Sequence, residues 1–502
     1  MHPVAVDAPV ARLPPEILTL VFSILSSIAP PHRSQNTQTP RRKSTSPKYK
    51  DNLGWLNVTH VCQRWRDVSL NEPILWASDI VPPSVLGRLW AAEFLARAQN
   101  VPLTVTRCIN DYYPGSLTDT QFIGANLARM CAIMDLRTKN LLTFCTPAPL
   151  LHTLNIRVFD QAPLPDGLLG GAAGLPNLRH LSVFAWDVLS WTPLLLRQLV
   201  SVDITISKGY VPGAILDSMF AALGRMPALE RLALQLQLED TDGVPLTLPP
   251  GLRHLTMRNY VQHELPILAR LALPAGIRVR CIADWPVGHQ ADLLALFPAM
   301  LTCAHATAIS RVDVKQVAAD RERSQSKRDV VVGAWRSGET DGAPPLVVQF
   351  SGWEGVPPVL KSLASTHLET LAVGGDMPQW FHALRRASRL RHVTVKDTAV
   401  RRLCAGLERA PSILPALSAL VVDVRTLDLR LAKAILVDEL PRCLAARARS
   451  GNVLEELEVV GYIEDEECVR ALQEAAPGLA IRWRWKAKEG DYWEAVCDSH
   501  SL

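Results

Sequence analysis

The stretches PNLRHLSV (176–183), PALERLAL (227–234) and PGLRHLTM (250–257) repeat one short phrase, a proline or polar start followed by x-L-x-x-L-x-h, where h is aliphatic or Met. The phrase occurs before them as PLLHTLNI (149–156) and after them as THLETLAV (366–373), SRLRHVTV (388–395), PALSALVV (415–422) and NVLEELEV (452–459). Its later half alternates like a short strand with every second side chain turned inward, and the leading leucine packs where the chain turns into that strand. One such unit cannot bury its apolar side alone, but stacked units can, so the phrase predicts an α/β solenoid with a parallel sheet on one face. The segments DSMFAALGRMP (217–227) and PQWFHALRRAS (378–388) have the helical apolar spacing expected of the other face.

With the second aliphatic as marker, the spacings are 27 residues from Leu154 to Leu181, 23 from Leu232 to Leu255 and 22 from Leu371 to Val393. These fall within the range of leucine-rich repeats, about 20 to 29 residues. The 51 residues from Leu181 to Leu232 require a degenerate unit near LVSVDITI (199–206). A first repeat group is therefore expected over 146–285 and a second over 346–485, separated by an irregular, partly flexible excursion over 286–345, whose 312–345 portion is charged and then rich in Gly, Ser and Pro. Residues 82–145 read as a connecting and capping segment, with a helix over 84–99, a strand over 102–110 and a helix over 120–138. In IRWRW (481–485), Trp483 and Trp485 alternate with arginines as in a terminal edge strand with one buried side, and 486–502 form a tail.

At 502 residues the chain is long enough for two or three compact units. It is 48% hydrophobic and 20% charged, a globular composition. Lys and Arg number 53 against 49 Asp and Glu, and residues 1–52 hold seven of the basic and three of the acidic groups, so the remainder balances at 46 against 46. A neutral body argues against a phosphate-neutralising surface, and no nucleic-acid partner is expected. Ten cysteines are scattered without a C-x-x-C pair, which reads as reduced thiols of a cytoplasmic or nuclear protein. The start has no secretory pattern and no run spans a bilayer, so no membrane partner is expected and the Asn57 sequon has no glycan to receive.

Near the amino end, Leu13-Pro-Pro-Glu-Ile-Leu18 opens a helix with apolar residues at 17, 20, 21, 24, 25 and 28. Residues 29–52 then turn polar and basic and read as a solvated loop. From Leu53 a second helix is predicted, with Trp55, Val58, Cys62 and Trp65 at helical spacing, and Pro73-Ile-Leu-Trp76 begins a short third one. The combination of L-P-P-E-I-L, Val61-Cys62-x-x-Trp65-Arg66 and Pro73-x-Leu75-Trp76 resembles the F-box of fungal F-box proteins, over roughly the first eighty residues. The resemblance implies a three-helix module over 1–81 that docks on the Skp adaptor, and through it a cullin, in an SCF ubiquitin ligase. Leu13, Pro14, Pro15, Ile17, Leu18, Val61, Cys62 and Trp65 are the expected adaptor-binding residues, because so small a module cannot hide all its apolar side chains. Trp65 and Trp76 are equally readable as core. The chain departs from the F-box pattern by the insertion 29–52, whose PRRKSTSPK (40–48) reads as a solvated basic loop, with nuclear import or phosphorylation as the sharper alternative.

Enzymatic signatures are absent from the sequence. Gly167, Gly170, Gly171 and Gly174 precede a repeat instead of opening a helix after a strand, so an inter-repeat loop is the better reading than a phosphate cradle. The run Glu464-Asp465-Glu466-Glu467 reads as a helix start. No catalytic, cofactor-binding or metal-ligating residues are assigned. The sequence thus predicts a non-enzymatic substrate receptor whose repeats hold an unknown target protein. A repeat scaffold unrelated to ubiquitin, its N-terminal helices serving as a cap, shares every fold feature. Arg179, Arg253 and Arg391, between the aliphatic anchors, are candidate surface positions.

Overall fold

A computed structural model describes residues 13–34, 50–80, 82–83, 87–105, 116–137, 144–158, 168–185, 197–238, 246–260, 267–268, 270–274, 277–284, 299–300, 309–317, 329–336, 344, 346–351, 356–363, 368–375, 380–385, 387–461 and 466–484. The fold is mixed α/β with mostly parallel sheet, and the chain divides into two compact units, residues 1–210 with 221–229, and 211–220 with 230–502.

The first unit opens with helix α1 (Pro15–Ile28), followed by a two-stranded antiparallel ribbon of β1 (His32–Ser34) and β2 (Lys50–Asn52). A 3-10 turn (Gly54–His60) then leads into α2 (Gln63–Leu70), α3 (Pro73–Ala77) and α4 (Arg88–Ala98). After β3 (Leu103–Val105) come α5 (Ser116–Asn126), β4 (Met130–Arg137), β5 (Thr153–Val158), β6 (His180–Ala185) and β7 (Ser201–Val211). Strands β3 to β7 pair in chain order and all in parallel.

In the second unit, α6 (Gly213–Gly224), whose last residues fall in the first, precedes β8 (Arg231–Leu238), β9 (Leu246–Thr247), β10 (His254–Tyr260), β11 (Leu271–Ala272) and β12 (Arg278–Asp284). Next come β13 (Ile309–Val317), β14 (Asp329–Arg336), β15 (Leu346–Ser351), α7 (Val356–Leu363), β16 (Thr370–Gly374), α8 (Trp380–Ala383), β17 (His392–Lys396) and α9 (Ala399–Arg409). The chain closes with β18 (Ala419–Asp423), α10 (Leu429–Ala434), a π-helical turn at Ile435–Glu439, α11 (Leu440–Arg449), β19 (Glu456–Val460), α12 (Glu466–Ala475) and β20 (Ala480–Arg484). The sheet order is β8-β10-β12-β15-β14-β13-β16-β17-β18-β19-β20, and only β14 runs against its neighbours, while β9 and β11 form a separate parallel pair.

The repeated phrase has one turn geometry at six of its eight occurrences. Each leading leucine is buried, and the N–H of Leu151, Leu178, Leu229, Leu252, Leu390 or Leu417 closes a turn on the carbonyl three residues back. The residue before the strand then donates to the equivalent carbonyl of the preceding unit, as in Arg253 to Glu230, Arg391 to Glu369 and Glu455 to Ser418. Register stays fixed, so inward residues stack in rows such as Leu371-Val393-Leu420-Leu457-Ile481. Burial of those rows is the main stabilising term, about 1.5–3 kcal/mol per large aliphatic side chain.

Several expectations change. The predicted 120–138 helix ends at Asn126 and Met130–Arg137 pairs as a strand beside β5, so the sheet begins well before residue 146. Pairing overrides helix propensity here because Met130 and Ile133 are buried against the core. The 286–345 excursion contributes β13 and β14 to the sheet. The 199–206 unit is β7, in register with β6 at Leu181 and Val202. Only 103–105 of the predicted 102–110 strand is described as strand, and 106–110 lie outside the described residues. Of the glycine run, Gly170 ends a 3-10 turn (Leu168–Gly170) and Gly171–Gly174 form one helical turn where a loop is expected, with Gly170 at φ +81° and a Cβ on Gly174 placed 2.1 Å from the Leu169 carbonyl oxygen, while Gly167 lies outside the described residues. Glu466 and Glu467 start α12, and Trp483 on β20 is half-buried, while Trp485 and the 486–502 tail lie outside the described residues.

Candidate functional site

The N-terminal helices pack around an aromatic centre. Trp76 stands edge-on to Trp55 at 5.2 Å and to Phe94 at 4.9 Å, is 1% exposed, and donates its indole N–H to the Ser69 carbonyl at 2.8 Å. Phe22 of α1 meets Trp65 of α2 edge-on at 5.2 Å. Trp76 is therefore core, and Trp65 is half-buried.

The predicted second helix is broken at Val61-Cys62. Cys62 is extended (φ −155°, ψ 169°) and its Sγ accepts the Trp65 N–H at 3.5 Å, so it caps α2 from outside the helix. Arg64 ties α2 to the head of α1 through the Leu13 carbonyl, and Arg66 Nε donates to the Thr59 carbonyl at 2.7 Å.

The insertion leaves this packing in place because its two ends are pinned. The Trp55 N–H donates to the Ala29 carbonyl at 2.7 Å, and β1 and β2 zip the base together, so residues 32–34 and 50–52 are strand where a loop is expected. Gly54 makes this approach possible. Its φ is +53°, and a Cβ there would lie 2.2 Å from the Ala29 oxygen. The basic stretch 40–48 lies outside the described residues.

On α1, Leu18, Phe22 and Ser26 are buried, while Ile17, Leu20, Val21, Ile24 and Ile28 are exposed, Ile24 to 51%. At about 100° per residue these five fall within an arc of about 100°, beside the buried arc. Apolar residues from Leu20 round to Phe22 thus span about 200° of the helix circumference. Of the predicted contact residues, Pro14, Pro15, Ile17, Val61 and Cys62 are exposed and Leu13 and Trp65 are half-buried. Leu18 is corrected to a core residue: at 1% exposure it packs inward and has no surface to offer. Leu20, Val21, Ile24 and Ile28 were legible only as helix spacing, with nothing to say that this stripe faces outward. Ile74 of α3 is a further exposed aliphatic, at 56%.

Among the described residues, no group of three or more His, Cys, Asp or Glu side chains is placed to hold a metal ion, and no helix is long and apolar enough to cross a membrane. No protein-family model matches the chain, and a search of curated proteins finds no match.

Proposed function

We propose that the chain is a substrate-recognition subunit of an SCF-type ubiquitin ligase, whose F-box-like helices dock on the Skp adaptor while leucine-rich repeats hold a target protein. The observation that carries this reading is the exposed apolar arc of α1. Five aliphatic side chains left in water on one helix gain on the order of 1 kcal/mol each when a partner covers them. Pro14 and Pro15 lead into that arc with a stiff backbone, which lowers the ordering cost of binding. The shared turn ahead of β5, β6, β8, β10, β17 and β18 supports the repeat reading. The chain's contribution is then proximity, raising the local concentration of target lysines beside an enzyme elsewhere in the complex, in the cytoplasm or nucleus. No residue of this chain performs chemistry.

The test is capture of the Skp adaptor and a cullin by the tagged full chain. Wild type is expected to retain both, and an Ile17→Asp, Leu20→Asp, Ile24→Asp variant to lose them by more than about tenfold while unfolding at the wild-type temperature. Retention by the folded variant would overturn the docking, and absence of both partners from the wild-type eluate would favour the repeat scaffold unrelated to ubiquitin.

A further inference from the structure

Helices α9 and α11 of the second unit pack against each other with a stagger that two arginines fix. At one end of the contact, Arg401 of α9 forks onto Glu439, the last residue of the π-helical turn, with Nε 2.8 Å from Oε1 and 3.1 Å from Oε2. At the other end Arg447 of α11, 1% exposed, donates to the carbonyls of Pro411, Ile413 and Leu414 at 3.1, 2.9 and 3.2 Å, just past the end of α9. Cys404 follows Arg401 by one turn, and Cys443 follows Glu439 by one turn. The stagger therefore sets the two cysteines side by side. Their thiols hydrogen-bond across the interface at 2% and 0% exposure, and both are reduced.

The surroundings make the two sulfurs unequal. The Cys404 thiol is held well above the ordinary thiol range, first by its hydrogen bond to Cys443, then by burial and by the charges of Cys443 and Glu439. Cys404 thus keeps its proton and donates it to the Cys443 sulfur. Cys443 stands one turn before Arg447, whose partners among the described residues are carbonyls and no carboxylate, and whose Nε–H is buried without an acceptor. Burial lowers the proton affinity of this guanidinium, and Cys443 opposes the shift. Negative charge on Cys443 is therefore favoured twice, by a thiol donor and by a nearby cation. Proximity to arginine is what makes a cysteine reactive, whereas a buried cysteine in apolar surroundings is inert. The π-helical turn that brings Glu439 to Arg401 is a helix irregularity of the kind that recurs at functional sites.

We infer that Cys404 and Cys443 form an oxidation site, a dithiol that a hydroperoxide converts into a reversible disulfide stapling α9 to α11. Cys443 is the attacking sulfur and Cys404 the resolving one. The Cys443 thiolate bonds to one oxygen of hydrogen peroxide, the O–O bond breaks, and hydroxide leaves to take up the proton that the thiol released. Cys404 then attacks the resulting sulfenic sulfur, the S–O bond breaks, and the Cys404 proton departs with the hydroxyl as water. In sum two thiols and one peroxide give one disulfide and two waters, with sulfur oxidised and peroxide reduced. Because both sulfurs are buried, the reaction follows local opening of the helix pair and admits only a small oxidant. The bond closes a loop of about 40 residues, which restricts the unfolded chain and stabilises the folded one. Nothing in this site depends on adaptor docking.

The experiment exposes the folded full chain to hydrogen peroxide, quenches it with N-ethylmaleimide and maps the proteolytic peptides by mass. A 404–443 linked peptide is expected, two hydrogen masses lighter than its separate thiol peptides, at least about tenfold more abundant than any other linked pair and abolished by dithiothreitol. The linked chain should unfold a few degrees higher than the reduced chain. Cys404→Ala should leave Cys443 as a sulfenic acid trapped by dimedone, and Cys443→Ala should leave Cys404 a thiol. If either variant fails to fold, the wild-type peptide map decides alone. No 404–443 linkage in the folded chain, linkage only after denaturation, preferential linkage to another cysteine, or an unfolding temperature that linkage does not move would each overturn the inference. Trapping of Cys404 in place of Cys443 would overturn the assigned roles.

Discussion

Helices α1 and α9 share an interior design and differ on the outside. Each buries one apolar stripe, Leu18 and Phe22 on α1, and Val400, Leu403, Cys404 and Leu407 on α9. The outward face of α9 is Arg401, Arg402, Ala405, Glu408 and Arg409, with Arg401 paired to Glu439 at 2.8 Å. The exposed residues of α1 are Pro15, Glu16 and Ser27 with five aliphatics, Ile17, Leu20, Val21, Ile24 and Ile28. A helix meant to stay in water is charged on that side. The difference teaches that burial alone explains α9, whereas α1 carries a second apolar face that its own module does not use.

The interiors should respond alike, and this is the largest expected effect. Trp76→Ala in the helical module should cost about 3–5 kcal/mol and Leu403→Ala in α9 about 2–5 kcal/mol, since each empties a fully buried site. Trp76→Phe, which keeps most of the volume but leaves the Ser69 carbonyl without the indole donor, should cost less. Guanidinium unfolding followed by tryptophan fluorescence and circular dichroism measures all three. A loss under about 1 kcal/mol for Trp76→Ala would mean that the N-terminal module is loosely packed, and its exposed face would then carry no special weight.

An intermediate effect separates two glycines with similar backbones. Gly54 and Gly451 both have positive φ, +53° and +78°, but a Cβ at Gly54 meets the Ala29 and Pro30 backbone, whereas at Gly451 it meets nothing within 4 Å. Gly451→Ala should cost about 1 kcal/mol, the conformational term alone. Gly54→Ala should cost more, about 2–3 kcal/mol, because backbone must also move. Equal losses, measured by thermal unfolding, would show that the base of the 29–52 insertion yields easily and does not hold the module together.

The strands were legible because the phrase encodes them twice, by alternation and by a leading leucine three residues ahead of the first inward position. Where that spacing changes, legibility fails. On β12 the turn residue Ile277 precedes the inward Val279 by only two, so the phrase is absent there although the strand is present. Residues 130–137 carry Met and Leu that suit a helix as well as a strand, and only pairing with β5 decides. Strands β13 and β14 hide behind charged residues; Asp313, buried on β13, is matched by Arg311 at 3.2 Å, which stands over the Trp335 ring. At the candidate site, the existence of an apolar stripe on α1 was plain. Its direction was not, because Leu18, Phe22 and Leu25 form a second stripe at the same period, and only packing against Trp65 and the 3-10 turn determines which one turns inward.

The smallest expected effect bears most directly on that direction. Ile24 is half in water on the folded chain, so Ile24→Glu removes little buried area and places a charge where solvent already reaches. Its stability cost should stay within about 0.5 kcal/mol, the range of ordinary surface changes, with helix content unaltered because Glu is a better helix former than Ile. The matching change on α9, Arg402→Ile, should be equally quiet in the unfolding curve, since Arg402 is also exposed. The two variants should part only in association, where Ile24→Glu loses adaptor capture and Arg402→Ile does not. A fall of several degrees in unfolding temperature for Ile24→Glu alone, with the adaptor absent, would mean that another part of the chain already covers this face in solution. The apolar arc would then be interior after all, and α1 would differ from α9 only in what packs on its second side.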